Sequence, residues 1–586
     1  MDEAARSWWK EATVYQVYPR SFADGDGDGV GDLAGLADRA DYLADLGVDA
    51  VWLNPVYASP MADNGYDVAD YRAVDDTFGS MADWRAVRDA LHERDIRLVM
   101  DFVPNHTSDE HEWFQTSRRR GATADWYHWA DGVDADTVAY DATDEGPDGE
   151  APPNNWRSFF GGPAWAYDDE REQWYLHLFD PKQPDLDWSV PAVREAMYDQ
   201  LRYWLDEGID GFRLDVVNLL SKPDGYPNGD PDDPFNGALR LVPNGPRIHE
   251  YVAEMHDAVF AGRDLLTVGE CIGETGVDEA ARYVRPDGDG LAMIFHFDHV
   301  GIGRGEELWE REEWALTDLK AVFDRWQTGL EGRGWNSLYF NNHDQPRVVS
   351  RFGDDEEYRR ESATCIATLL HTLRGTPYVY QGEELGMTNP TFESLAEFRD
   401  VETVRTVREA IEAGDIDSFE AVQEGVNAHS RDTSRTPMQW TSGPNAGFTA
   451  PDAEPWIRLH EDHRTVNVET QRTDTTSVWH YYRRLIDLRE AHDVLVYGDY
   501  ENHTPDDEQV WAYTRTLSET ASRDAAHGRA FVALNWSGEA ARVDPPSAFA
   551  GTEATLALCN YSESPSPATV TAYEARPWEA RVYVME

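Results

Sequence analysis

The chain has 586 residues, room for about four domains at roughly 150 residues each, or fewer if one large barrel dominates. Its 111 acidic residues against 51 basic ones give a formal charge of −60, and only Lys10, Lys182, Lys222 and Lys320 are lysines, so 51 minus 4 leaves 47 arginines. That field repels phosphates and anionic lipid, excluding nucleic acid and membrane as partners reached through net charge, while 41% hydrophobic residues and 22 tryptophans exclude a disordered acidic chain.

In chain order, Thr13 to Tyr18 is a short β-rich run. Leu33 to Gly47 follows, with apolar Leu33, Leu36, Ala40, Leu43 and Leu46 at helical spacing before a terminating glycine. Val48 to Leu53 is the second strand. Ser80 reads as the N-cap of a helix through Arg94, with Asp83 in its first turn, and Ile96 to Val103 is the third strand. Strand patterns return at Ile209 to Val216, Leu265 to Cys271, Ala292 to Phe297, Ser337 to Asn341 and Pro377 to Gln381, with helices such as Pro191 to Glu207 between them. Eight strands alternating with helices predict an α/β fold, a (β/α)8 TIM barrel.

Two stretches are too long to be connecting loops. Residues 107–178, rich in Trp, Asp and Gly, read as a small domain inserted after strand three. The barrel then takes 1–106 and 179–500, with a second insert at about 387–475 after strand eight and an amphipathic helix, Val478 to Ala491, to close it. From 501 to 586 the period becomes two, at 509–514, 530–534, 554–558 and 580–584, which predicts a C-terminal antiparallel β domain.

Cys271, Cys365 and Cys559 are odd in number and far apart, so they form neither a disulfide framework nor a zinc cluster, and a reducing compartment is favoured. No signal peptide opens the sequence and no run of 18 apolar residues occurs. The expectation is a cytoplasmic protein, monomeric or a small homo-oligomer, with no membrane partner. Its acids are spread along the chain. In concentrated salt, where the Debye length is about 3 Å at 1 M, such a surface is screened and stays hydrated. That suits a salt-adapted, haloarchaeal-like source.

Barrel enzymes carry their site at the C-terminal ends of the strands. Acids and their partners crowd there: Asp101 to His106, Gly211-Phe-Arg213-Leu-Asp215, Gly269-Glu270, Asn341-Asn342-His343-Asp344 and Gln381-Gly-Glu383-Glu384. Paired carboxylates are what glycosidic cleavage needs, one ionised at the sugar carbon and one protonated at the leaving oxygen. Arg213, two residues from Asp215 on one strand face, is placed to hold Asp215 ionised. The apolar run before Glu270 favours its protonated form.

These segments resemble the four main motifs of the α-amylase-type glycoside hydrolases (family 13). GYDVADY (65–71), NNWRSFFGG (154–162), YLHLF (175–179), QPDLDW (183–188), TPYVYQGEELGMTN (376–389) and RTPMQW (435–440) narrow the resemblance to the α-glucosidases of the oligo-1,6-glucosidase group. The resemblance implies Asp215 as nucleophile, Glu270 as general acid/base and Asp344 as the third acid gripping sugar hydroxyls. It also implies His106 and His343 on the hydroxyls of the cleaved sugar, Arg213 beside the nucleophile, and Asp67 with Arg431 closing the pocket on the terminal glucose. Tyr66 and Phe160 are aromatic candidates for the pocket wall, although barrel packing explains them equally well.

The implied activity is exo-acting and retaining, releasing glucose from small α-linked oligosaccharides without an organic cofactor. Val216 after the nucleophile matches members that accept α-1,6 bonds, whereas Asp187 stands where that group has asparagine. A transglycosylating or isomerising relative (a glucosyltransferase or trehalose synthase-like enzyme) keeps the same acids, so that alternative stays open. A catalytically dead transporter-subunit-like or sugar-binding protein does not need all three.

Asp24, Asp26, Asp28, the carbonyl of Val30 and Asp32 alternate with glycines, an oxygen-rich loop suited to a hard cation. It is no EF-hand, because position twelve is Gly35 and a strand precedes it. The resemblance implies a structural Ca²⁺ there, with Mg²⁺ the other candidate.

Overall fold

The structure, a computed structural model, describes residues 6–135, 146–230, 238–285, 288–517, 528–562 and 565–585. Eight parallel strands form the barrel: β1 (Val14–Val17), β2 (Ala50–Leu53), β3 (Arg97–Phe102), β4 (Gly211–Leu214), β5 (Leu266–Glu270), β6 (Met293–Phe295), β7 (Ser337–Leu338) and β8 (Thr376–Tyr380). Hydrogen bonding runs β6-β5-β4-β3-β2-β1-β8-β7. Side chains bridge the remaining seam: Ser337 Oγ donates to the Ile294 carbonyl at 2.7 Å and Tyr339 OH to that of His296 at 2.6 Å.

The strands read as apolar runs because both faces are covered. Val14, Ala50, Trp52, Val99, Leu266, Val268, Met293 and Phe295 pack inside the barrel. Their neighbours Tyr15, Val17, Val51, Leu53, Leu98 and Met100 face the surrounding helices. The same alternation sets the register that matters for the site: Asp101 pairs with Arg213, and Arg213 with Val268.

Ser80 caps helix Met81–His92 through a capping box with Asp83. The expected single helix at 33–47 is instead two, Leu33–Asp38 and Ala40–Leu46, broken where Arg39 leaves helical geometry (φ −101°, ψ 6°) to lay its guanidinium over Trp440. Within 107–178 a three-stranded antiparallel sheet is built from Trp129–Ala130, Gln173–Leu176 and Trp165–Asp168, while 136–145 lie outside the described residues. After β8, helices Val401–Ala413 and Phe419–His429 lead to Arg431. Helix Val478–Ala491 then packs on Arg359–Thr372. The C-terminal sheet is antiparallel in the order 499–502, 510–516, 529–535, 580–585, 553–559, 566–569. The three cysteines are free and buried. Among the described residues no helix is long and apolar enough to cross a membrane.

Candidate active site

The C-terminal ends of the strands converge on a cavity of about 520 Å³, a size suited to a small ligand. One guanidinium organises its floor. Arg213 Nη1 donates to Asp101 Oδ1 at 2.9 Å and Asp215 Oδ1 at 2.6 Å, and Nη2 lies 2.5 Å from Glu270 Oε2. Arg213 is fully buried with its ring neighbours Trp52 and Tyr66, so the two carboxylates are held side by side at the cavity wall. The chain turns sharply after Asp215: Val216 is left-handed (φ 35°, ψ 43°), a costly conformation for a β-branched residue, and its N–H donates to Glu270 Oε2 at 3.2 Å.

Burial pushes the Asp215 carboxyl well above its ordinary range; Arg213 opposes the rise, and the neighbouring Glu270 and Asp101 add to it. The sequence reading gave the ionised role to Asp215 through Arg213 alone. Burial outweighs that pairing, because an ionised carboxyl loses its hydration out of water, and the carboxylates of Glu270 and Asp101 beside it add to the rise.

Asp344 has the opposite environment. Burial alone would raise it, but His343, Arg431 and Arg435 outweigh burial and hold it well below the usual carboxylate range. Its Oδ1 accepts from Arg435 Nη2 at 2.6 Å and Arg431 Nη1 at 3.4 Å, and its Oδ2 lies 3.0 Å from His343 Nε2. His343 lies beneath the cavity, stacked on Tyr66 with ring centres 5.3 Å apart. Gln16 Nε2 donates to its Nδ1 at 2.9 Å, which leaves Nε2 protonated toward Tyr66 OH at 2.7 Å. Arg431 also grips Asp400, at 2.8 Å from Nε, and lies over the Phe160 ring at 4.7 Å.

Of the expected substrate residues, His106, Tyr66, Phe160 and Arg431 line the cavity with the three acids, while Arg213 and His343 support them from below. Asp67 does not line it. Its carboxylate is buried, accepting the N–H groups of Ala62 at 2.9 Å and Asp63 at 3.0 Å, so it holds the turn together. Asp63 takes the place expected of Asp67: it lines the cavity, 3.6 Å from Arg431 Nη2, and accepts from Gln183 Nε2 at 3.1 Å. Burial pushes the Asp63 carboxyl up to about 7 against the pull of Arg431 and Arg435. Gln183, Arg304 and Glu402 also line the cavity. Gln183 stands in QPDLDW and was within reach of the motif reading, whereas Arg304 and Glu402 carry no motif. Asp187 lies outside the cavity, accepting the Ser189 N–H at 2.9 Å just before helix Pro191–Asp206.

In the first loop, carboxylate oxygens of Asp24, Asp26 and Asp28 lie within 4.8 Å of one another. Three hard donors so close, with no ion pair to them among the described residues, fit a divalent cation. Val30 donates its N–H to Asp28 at 2.8 Å. Asp32 is not brought into that cluster: it caps helix Leu33–Asp38, its two oxygens accepting from Gly25, Asp26 and Gly35, because a helix start nearby offers it unpaired N–H groups.

Residues 16–498 match the α-amylase catalytic domain. The oligo-1,6-glucosidases of Parageobacillus thermoglucosidasius and Halalkalibacterium halodurans are 45% and 44% identical to the chain, the first over 99% of both chains and the second over 98% of this chain and 99% of its own. The isomaltulose synthase of Erwinia rhapontici superposes with a TM-score of 0.91 at 38% identity, covering 99% of both chains. The chain belongs to the α-amylase family of glycoside hydrolases. These relatives are bacterial, which gives a haloarchaeal-like source no support.

Proposed function

We propose that this enzyme is an exo-acting, retaining α-glucosidase that releases glucose from the non-reducing ends of short α-1,6- and α-1,4-linked glucosides. One observation carries the reading: a single buried guanidinium bridges Asp215 and Glu270 at the wall of a pocket whose other side is shut by Arg431, Asp344 and Asp63. A blind pocket accepts one terminal sugar, and adjacent carboxyls suit double displacement, for which they need to lie about 5–5.5 Å apart.

In the first step Asp215 attacks the anomeric carbon as the bond to the leaving oxygen breaks, and Glu270 transfers its proton to that oxygen. In the second, Glu270 takes a proton from water, whose oxygen displaces Asp215 and returns the free carboxylate. Asp344, kept ionised by its arginines, accepts from sugar hydroxyls and offsets positive charge developing on the ring. His106 completes the grip on the glucose, and His343 supports Tyr66 and Asp344 from beneath it.

Val216 beside the nucleophile supports α-1,6 acceptance. Asp24, Asp26 and Asp28 would hold a Ca²⁺ or Mg²⁺ that ties down the first loop and takes no part in the chemistry. The reduced, buried cysteines and the acid-rich, lysine-poor composition support a salt-adapted cytoplasmic enzyme. The likeness to an isomaltulose synthase favours one second reading, isomerisation of sucrose.

Incubation with isomaltose, maltose and sucrose, followed by proton NMR, tests both. Initial release of α-glucose from isomaltose is expected. Initial β-glucose would overturn retention, failure on isomaltose would overturn the linkage, and a rearranged disaccharide from sucrose would establish the second reading.

A further inference from the structure

Another cavity, of about 610 Å³, lies at the opposite end of the barrel from the active site, where the chain leads into β5, β6, β7 and β8 and passes helix Trp8–Glu11. Lys10, Arg263, Arg285 and Arg374 line it, and none of the described residues that line it is an acid. The chain holds 51 basic residues to 111 acidic ones, so four cations without an acid run against its composition. The active-site cavity, by contrast, sets Asp63, Asp215, Glu270, Asp344 and Glu402 beside its arginines.

The Arg374 side chain makes no ion pair among the described residues, and its Nε and Nη1 are buried without an acceptor. Its backbone is fastened independently, the N–H and the carbonyl each bonded to the Gln327 amide at 2.9 Å. The guanidinium lies 5.2 Å from the centre of the Trp335 ring, and the Lys10 ammonium lies 5.4 Å from the same ring. One cation would collect the attraction of that ring without the repulsion that two bring. Burial and then Arg374 lower the Lys10 pKa, and burial lowers that of Arg374 against the more distant pull of Asp499 and Glu331. Arg263 is exposed and has no side-chain partner among the described residues, while Arg285 reaches Asp289 at 3.0 Å. A cleft lined by one sign of charge focuses its field inward, and so draws anions even to a protein whose net charge repels them.

We propose that this cavity is a binding site for an organic phosphate, a small phosphate ester. Arg263 and Arg374 supply guanidinium forks, whose paired N–H donors match phosphate oxygens. Trp9, Trp335 and Tyr497 add aromatic wall for the organic part. The volume suits a sugar phosphate or a nucleotide and exceeds what an inorganic anion needs. The site is separate from the catalytic pocket, so the inference stands whichever glycoside is cleaved there.

Isothermal titration of the full-length protein tests it, in 1 M KCl to screen exposed charges and with the catalytic pocket filled by 1-deoxynojirimycin. The probes are glucose 6-phosphate, ADP and inorganic phosphate. At least one ester is expected to bind once per chain, with a Kd at least tenfold below that of inorganic phosphate, and to raise Tm by about 2 °C at about 100 times its Kd. Binding of glucose 6-phosphate alone identifies a sugar phosphate, and of ADP alone a nucleotide. Arg374→Gln and Arg263→Gln should each weaken that binding at least tenfold, with kcat on p-nitrophenyl α-glucoside unchanged. Arg263→Gln alters an exposed side chain, so it decides the matter even where Arg374→Gln fails to fold. No binding of either ester, equal affinity for inorganic phosphate, or ester binding untouched by Arg263→Gln would overturn the proposal.

Discussion

Asp63 takes the place in the pocket that the resemblance implies for Asp67, four residues on, and the difference can be measured. Asp63→Ala removes a carboxylate facing Arg431 at 3.6 Å and Gln183 at 3.1 Å inside the cavity. Charged hydrogen-bonding contacts of this kind are worth about 1.5–3 kcal/mol. Because they shape the site of the terminal glucose, kcat/KM should fall on the order of 100-fold. Asp67→Asn keeps the cavity but leaves one of the Ala62 and Asp63 N–H groups without an acceptor, costing about 1–3 kcal/mol of stability with kcat/KM per folded molecule unchanged. Initial rates on p-nitrophenyl α-glucoside, normalised to folded protein from denaturant titration, separate the two. Stability offers a second readout. The Asp63 carboxyl rises from its ordinary 3.8 to about 7 in the fold, at most about 4 kcal/mol at 1.36 kcal/mol per unit. For an acid raised in this way the stability is present below about pH 4 and lost as pH climbs through about 7. Asp63→Asn should therefore flatten the decline between pH 4 and 7. A large loss of kcat/KM in Asp67→Asn with none in Asp63→Ala would refute the assignment.

Glu383, at the end of β8, is buried with its carboxyl pushed from 4.5 up to about 8, held by Tyr482 OH at 2.8 Å. By the same sign its ionisation costs stability as pH rises through about 8. Glu383→Gln should match wild type near pH 5 and gain at most about 5 kcal/mol at pH 8.5, which over an unfolding entropy of about 1.2 kcal/mol/K for a chain this long is a Tm gain of about 4 °C; an unchanged pH slope refutes it. Chelator should lower the Tm of wild type and not of Asp24→Asn/Asp28→Asn, with kcat at 25 °C unaffected; equal responses would remove the cation from the first loop. Lowering KCl from 2 M to 0.1 M should depress Tm while leaving the pH profile of kcat/KM in place, whereas an unchanged Tm would end the salt-adaptation reading.

The barrel was legible because each strand is buried on both faces, which turns it into an apolar run bounded by helical periodicity. Asp101, Arg213, Asp215, Glu270, His343 and Asp344 were legible for a related reason, since parallel strands end on one rim. What the sequence hid depends on turns. Asp63 and Asp67 are identical side chains in one short segment. Only the left-handed backbone at Asn64 (φ 51°) and Gly65 (φ 103°) between them turns one into the cavity and the other under it. Arg304 and Glu402 come from long connections whose placement is set by packing, so no local pattern marks them. The raised carboxyl of Asp215 was also hidden. An adjacent arginine predicts an ionised acid, but burial, which no sequence states, outweighs it, and carboxylates from two other strands add to the rise.

The charge excess and the site obey different physics. Added salt weakens the mutual repulsion of exposed carboxylates, because ions enter the water between them, but it scarcely reaches groups out of solvent. Inside, each acid is answered individually: Arg213 spans Asp101, Asp215 and Glu270, and Arg431 spans Asp344 and Asp400. A guanidinium can do this because its nitrogens diverge in one plane and its hydration is weak. Replacing lysine by arginine through the chain therefore costs the pocket nothing where carboxylates must be bridged. It would cost where several oxygens converge on a point, and there the lysine remains: Lys222 beneath His106, and Lys320, whose Nζ meets the carbonyls of Thr504, Asp507 and Val510 at 2.5–2.7 Å to fasten the C-terminal domain. Lys222 and Lys320 are thus better read one by one, by the oxygens they gather, than as the residue of a composition bias.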